Sequence, residues 1–114
     1  MKTIIKPWGK EVLIEHNCRY VVKKLFMNKG HRCSLQYHKK KHETIYVLQG
    51  KLKIYSGVDI DKLYEKIYLA NETISLEPGI IHRMEAVEDS IYLEASTPEL
   101  DDVVRISDDY ARKD

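Results

Sequence analysis

The chain has 114 residues, which suits one domain, and 43% of them are hydrophobic, enough for one core but not two. Its 19 Lys and Arg against 18 Asp and Glu give a net charge of +1, which excludes general electrostatic attraction to nucleic acid or an anionic membrane; any basic site must be local. Cys18 and Cys33 form no Cys-x-x-Cys pair, so a zinc knuckle and a thioredoxin-like redox motif are excluded and two free thiols are expected.

At the N-terminus, Met1-Lys2-Thr3-Ile4-Ile5-Lys6 lacks the apolar run of a signal peptide, and no later stretch approaches a membrane span. A cytoplasmic protein with a single domain over residues 1–114 is therefore expected. Pro7-Trp8-Gly9 reads as a turn or extended entry, and Glu11 to His16 as a first strand closed by Asn17. Arg19 to Met27 is rich in β-formers and ends at Asn28-Lys29-Gly30, whose composition favours a turn. His31 to His38 reads as a third strand. Glu43 to Leu48 and Lys51 to Tyr55 flank Gln49-Gly50; taken as a two-residue hairpin turn, this dipeptide pairs Leu52 with Val47 and Ile54 with Ile45. Ser56-Gly57 breaks the pattern, Val58 to Lys62 has no clear period, and Leu63 to Leu69 is read as strand. Thr73 to Leu76, Ile80 to Met84 and Ser90 to Thr97 follow as short strands, separated by Ala70-Asn71-Glu72, Glu77-Pro78-Gly79 and Glu88-Asp89. Pro98-Glu99 can open a short helix. Brief strands at this turn density predict an all-β barrel or sandwich, without internal repeats or a low-complexity linker.

The stretch Gly30 to Gly50, GHRCSLQYHKKKHETIYVLQG, carries the chemistry. Gln36 and His38 are two apart, so on an extended backbone both side chains leave one face and can meet one ligand. Glu43, Ile45 and Val47 share a face expected to be buried. A carboxylate among apolar neighbours needs a partner, and a metal ion is the sharper reading over a bound polar ligand. A lone strand histidine is more often a surface or hydrogen-bonded residue; Gln36 and Glu43 at this spacing give His38 a ligand role. His16, His31 and His42 are read as structural or exposed, His42 because its parity is opposite to that of Glu43. Lys39-Lys40-Lys41 reads as a solvated loop or as a clamp for phosphate or carboxylate beside the ligands. Tyr37 points away from Gln36 and His38.

The spacing of Gly30, Gln36, His38, Glu43 and Gly50 resembles the first motif of the cupins, with Gln36 where most members have the first His. Ser34-Leu35-Gln36-Tyr37-His38 resembles the Ser-Leu-Gln-x-His of the phosphomannose isomerase branch. Pro78-Gly79-Ile80-Ile81-His82 resembles the second cupin motif, with Pro78 one residue later than usual. Lys6-Pro7-Trp8-Gly9 resembles the opening of the isomerase domain attached to bacterial mannose-1-phosphate guanylyltransferases. Asp101-Asp102-Val103-Val104-Arg105 and Asp109-Tyr110-Ala111-Arg112 resemble its closing segments, with Ala111 in place of Gly. Two positions depart from that pattern: Lys39-Lys40-Lys41 replaces a His-rich, Arg-containing patch, and Ala86 replaces an Asn.

The resemblance implies an all-β cupin double-stranded β-helix, a jelly-roll barrel, binding one divalent metal through Gln36, His38, Glu43 and His82. Two imidazole nitrogens and two oxygens suit zinc, manganese, iron or nickel. It implies isomerisation or epimerisation of a phosphorylated or nucleotide-linked sugar, such as mannose 6-phosphate to fructose 6-phosphate. Glu94 would be the general base, Arg105 would contact substrate, and Lys39, Lys40 and Lys41 would lie near the phosphate. The alternatives are an outward charge for Glu94 and an ion pair with Asp101 or Asp102 for Arg105. At the level of function, the alternatives are a non-catalytic metal-containing sugar-binding or regulatory cupin and an iron-dependent dioxygenase, where Gln36 would replace the usual His. The expected partners are a small sugar phosphate or nucleotide sugar and a second copy of the chain. In that homodimer open edge strands are covered and the segment around Trp8 crosses to its neighbour.

Overall fold

The computed structural model describes residues 1–112. Its strands are β1 (Lys2–Lys6), β2 (Gly9–His16), β3 (Val21–Met27), β4 (Leu35–Tyr37), β5 (Glu43–Gln49), β6 (Leu52–Gly57), β7 (Tyr64–Tyr68), β8 (Thr73–Leu76), β9 (Ile81–Ala86), β10 (Ser90–Ser96) and β11 (Val104–Ser107). Among the described residues there is no helix, and so none long and apolar enough to cross a membrane. The strands make two antiparallel sheets, one in the order β1-β2-β3-β10-β5-β8 and the other β11-β4-β9-β6-β7. This is the all-β sandwich that the density of short strands predicts.

Period-two alternation sets the inner faces. Along β3, Val21, Lys23, Leu25 and Met27 are buried while Val22, Lys24 and Phe26 are half-buried on the outer side. β10 buries Ser90, Tyr92, Glu94 and Ser96, and β5 buries Glu43, Ile45 and Val47 as expected. The core between the sheets is built from Leu25, Met27, Ile45, Val47, Leu52, Ile54, Met84 and Tyr92. At one end of this core the inward positions become charged: Lys23 and Glu94 lie opposite one another in register, and Glu94 is also opposite Ile45. That polar end is where the site lies.

Several sequence expectations are corrected. Gln49-Gly50 does not close a hairpin: β5 pairs with β10 and β8, and β6 pairs with β9 and β7, so neither Leu52–Val47 nor Ile54–Ile45 pairing exists. The chain instead crosses from one sheet to the other at Gly50, whose φ is +94°. Both apolar faces still meet the core because they approach it from opposite sheets. Lys2–Lys6 is a strand that pairs with β2 around Pro7-Trp8. Trp8 is 4% exposed and packs in the core of its own chain. The third strand shrinks to Leu35–Tyr37, with Arg32 making an isolated bridge to Glu85. Pro98-Glu99 opens no helix, and the tail supplies β11 against β4.

Candidate metal centre

His82 lies on the inner face of β9, directly opposite Gln36 of β4. His38 follows β4, and Glu43 opens β5 in the other sheet. The turn before His82 is fixed against His38, because the Gly79 N–H donates to the His38 carbonyl at 2.7 Å. Gly79 has a φ of +86°, which a residue with a Cβ rarely adopts. Thus two motifs distant in sequence meet at one point between the sheets.

Ligand-capable atoms of His38, Glu43 and His82 all lie within 4.8 Å of one another, and the three residues are buried. His82 Nε2 is 3.0 Å from Glu43 Oε1, and His38 Nε2 is 3.5 Å from the same oxygen. The other ring nitrogens face backbone carbonyls: His38 Nδ1 is 2.5 Å from the Asp102 oxygen and His82 Nδ1 is 2.9 Å from the Ile80 oxygen. A carbonyl can only accept, so each Nδ1 carries the hydrogen and each neutral ring turns its Nε2 lone pair toward the carboxylate. Neither Nε2 nor Glu43 Oε1 has a hydrogen-bond donor among the described residues, while Glu43 Oε2 faces the Lys41 ammonium at 3.2 Å. Three buried acceptor groups facing one another are unstable unless a positive charge stands between them. A divalent cation meets this need, and so does protonation of the rings. Burial pushes the His38 pKa down, but the Glu43 carboxylate outweighs it and holds the pKa above the ordinary value. For Glu43, burial works upward, while His38, His82 and Lys41 together hold it well below the usual carboxylate range. The donor set, two imidazoles and a carboxylate, fits a first-row divalent metal. Gln36 stands next to this trio, and its Oε1 accepts a hydrogen bond from Ser34 Oγ at 2.6 Å.

The lysine run divides. Lys39 and Lys40 are exposed, whereas Lys41 is 5% exposed and its Nζ lies 3.0 Å from Glu94 Oε2 and 3.2 Å from Glu43 Oε2. Burial would lower the Lys41 pKa; Glu94 and Glu43 reverse this and raise it, so the ammonium keeps its charge. Glu94 is buried rather than pointing outward, and its pKa is pushed up by burial and by the Glu43 charge, against the pull of Lys41. Asp102, missed as a site residue, accepts the backbone N–H groups of Lys39, Lys40 and Lys41 at 3.0, 2.7 and 2.9 Å. Its carboxylate is thus committed to the lysine backbone, and its carbonyl orients His38.

Beside the trio is a cavity of about 120 Å³ lined by Gln36, His38, Lys41, Glu94 and Arg105, together with Lys6, Trp8, Glu11, Lys23, Tyr92 and Arg112. Cations therefore outnumber acids around it. Lys23 pairs with Glu11 at 3.4 Å, and Arg112 with Asp108 at 2.9 Å. Lys6 is held below its ordinary pKa, first by burial and then by nearby Lys23, Arg112 and Arg105, despite Glu11. Lys6 and Arg112 lie in the opening and closing segments that carry the resemblance, whereas Lys23 carried no local signal of this role, since β1, β3 and the tail meet only in the fold. Among the remaining histidines, His31 bonds Tyr110 at 2.6 Å, and His16 and His42 are exposed.

Comparisons with known proteins agree with this architecture. The chain is 32% identical to a mannose-1-phosphate guanylyltransferase of Escherichia coli over 121 residues, covering 97% of this chain but only 23% of that protein. The capsular polysaccharide assembling protein CapF of Staphylococcus aureus superposes with a TM-score of 0.80 at 17% identity, over 93% of this chain and 31% of that one. An RmlC-like cupin from Shewanella frigidimarina superposes with a TM-score of 0.73 at 17% identity, over 88% and 87% of the two chains. The fold is the cupin double-stranded β-helix. With residues 1–108 matching its pattern, the chain belongs to the family described as mannose-6-phosphate isomerase C-terminal.

Proposed function

We propose that this cupin binds one divalent metal through His38, Glu43 and His82, with Gln36 alongside, and isomerises a sugar phosphate of the mannose 6-phosphate type. The observation that carries this reading is the set of unpartnered acceptors beside a cavity rich in cations. When bound, the metal supplies Lewis-acid polarisation of a carbonyl oxygen. Aldose–ketose exchange also needs a base that takes a proton from the carbon beside that carbonyl and returns it to the neighbouring carbon. Glu94 serves as this base. Lys41 fixes its orientation, and burial makes it more basic than an exposed carboxylate. Glu43 is a poorer choice because its lone pairs face the metal position. Lys39 and Lys40 do not line the cavity, so the anionic end of the substrate is assigned to Lys6, Arg105 and Arg112. Pairing of two chains is part of the proposal and is supported by the open edge of β7.

One observation favours a second reading, a metal-containing sugar-binding module: Lys41 already neutralises Glu94. A single series of measurements separates the two. Protein purified without nickel is analysed for metal, then incubated in deuterated buffer with a panel of aldose and ketose phosphates. The isomerase reading expects solvent exchange of the C2 proton, reversibly abolished by chelation. Glu94→Gln is expected to keep metal and sugar phosphate yet lose exchange by about 100-fold or more. His82→Ala and Glu43→Gln are expected to lose metal with their β-sheet circular dichroism intact, and His16→Ala to keep it. Binding without exchange in the unmodified, metal-loaded protein would establish the binding module instead, and oxygen consumption the oxygenase.

A further inference from the structure

Tyr92 is the largest fully buried side chain among the described residues, 0% exposed, on the inner face of β10 two residues from Glu94. It is flanked in register by Leu25 of β3 and Val47 of β5, as an ordinary core residue would be. Its hydroxyl departs from that picture, because Oη has no hydrogen-bond partner among the described residues. Buried tyrosine hydroxyls ordinarily find one, and leaving a donor unpaired in an apolar core costs stability. The residue also lines the cavity that contains His38, Lys41 and Glu94. Phenylalanine would fill the same space without that cost, so core packing explains the ring but not the oxygen.

We propose that the Tyr92 hydroxyl is a ligand contact, donating a hydrogen bond to a hydroxyl or carbonyl oxygen of a sugar bound in the cavity next to Glu94. Side chains two apart on one strand face are separated by about 6.7 Å along the strand, close enough for both to reach oxygens of one short carbon chain. The hydroxyl stays protonated throughout the physiological range. Burial holds its pKa well above the ordinary value, and the charges of Glu94, Glu43 and Glu11 act in the same direction. It is therefore a fixed donor, suited to positioning and to selecting a hydroxylated ligand over a deoxygenated one. This role rests on the sugar-phosphate reading of the cavity, while making a separate claim about one atom.

The test is Tyr92→Phe, which removes only the oxygen. Zinc-loaded wild-type and variant proteins are titrated calorimetrically with mannose 6-phosphate and fructose 6-phosphate, and the melting temperature of each is measured without sugar. The expected result is a pair of opposite changes: binding weaker by about 10-fold, the scale of one lost hydrogen bond, and a sugar-free melting temperature unchanged or raised by a few degrees, about 3 °C. Unchanged affinity in the variant would overturn the assignment of Tyr92 while leaving the sugar-phosphate reading intact. A lowered melting temperature would also overturn it, since the hydroxyl would then have a structural partner. Wild-type protein that binds neither sugar overturns this inference together with the reading it rests on.

Discussion

Asp102 shows how much of the site depends on residues outside the trio of His38, Glu43 and His82. Three backbone N–H groups point at its carboxylate; they overcome the opposing effect of burial and lower its pKa to about 2, against an ordinary 3.8. A depressed folded-state pKa means stability that is present above the unfolded value and lost as pH falls through the folded one. The group is largely open to solvent, so the contribution is discounted to about 1 kcal/mol. Asp102→Asn is therefore expected to lower stability by about this amount at neutral pH. The gap to wild type should close as pH falls from about 4 to about 2, as read from urea midpoints across that range. At this scale the sequence is partly legible. The shared face of Glu43, Ile45 and Val47 follows from period two alone, and all three are buried. The division of Lys39, Lys40 and Lys41 does not, because what singles out Lys41 among three identical neighbours is Glu94, more than fifty residues away.

At the scale of elements, the misread Gln49-Gly50 is the instructive case. A Gly flanked by alternating strands signals a reversal, but not whether the second strand rejoins the same sheet. That is decided by which partners remain, and β5 and β6 are each enclosed by two others. The short β11 was likewise invisible, since four residues carry little periodicity and its only support is β4. A Cβ added at Gly50 would collide with the backbone of Asp89 and Ser90, whereas one at Gly30 would meet nothing within 4 Å. Both have positive φ. Gly30→Ala is thus expected to cost about 1 kcal/mol from backbone conformation alone, and Gly50→Ala about 2 kcal/mol or more. Equal shifts in the urea midpoints of the two variants would show that the crossover is not sterically fixed.

For the whole molecule, the proposed pairing of chains needs an exposed surface, and Trp8 is buried in the core of its own chain. One of the two edges of the five-stranded sheet is β7, where Tyr64 is 65% and Ile67 43% exposed, with Val58 and Ile60 exposed nearby. An exposed apolar edge strand is an unprotected template for pairing. The expected outcome is a homodimer by light scattering at micromolar concentration, which a Lys at position 67 in place of Ile67 converts to monomer. A wild-type monomer under those conditions would end the proposal.

Glu43 belongs to the six-stranded sheet, while His82 belongs to the five-stranded one and His38 follows its β4 strand. A cation held by all three would act as a rivet between two sheets that the chain also joins at this end, between β4 and β5 and between β8 and β9. Mass action then sets how firmly that end of the barrel is closed, in proportion to the logarithm of free metal over its dissociation constant. The opposite end, around Gly50, is joined by its own chain crossing and carries none of these three side chains. In metal-poor surroundings the loss of that rivet would be felt at the end that carries His38, Glu43 and His82.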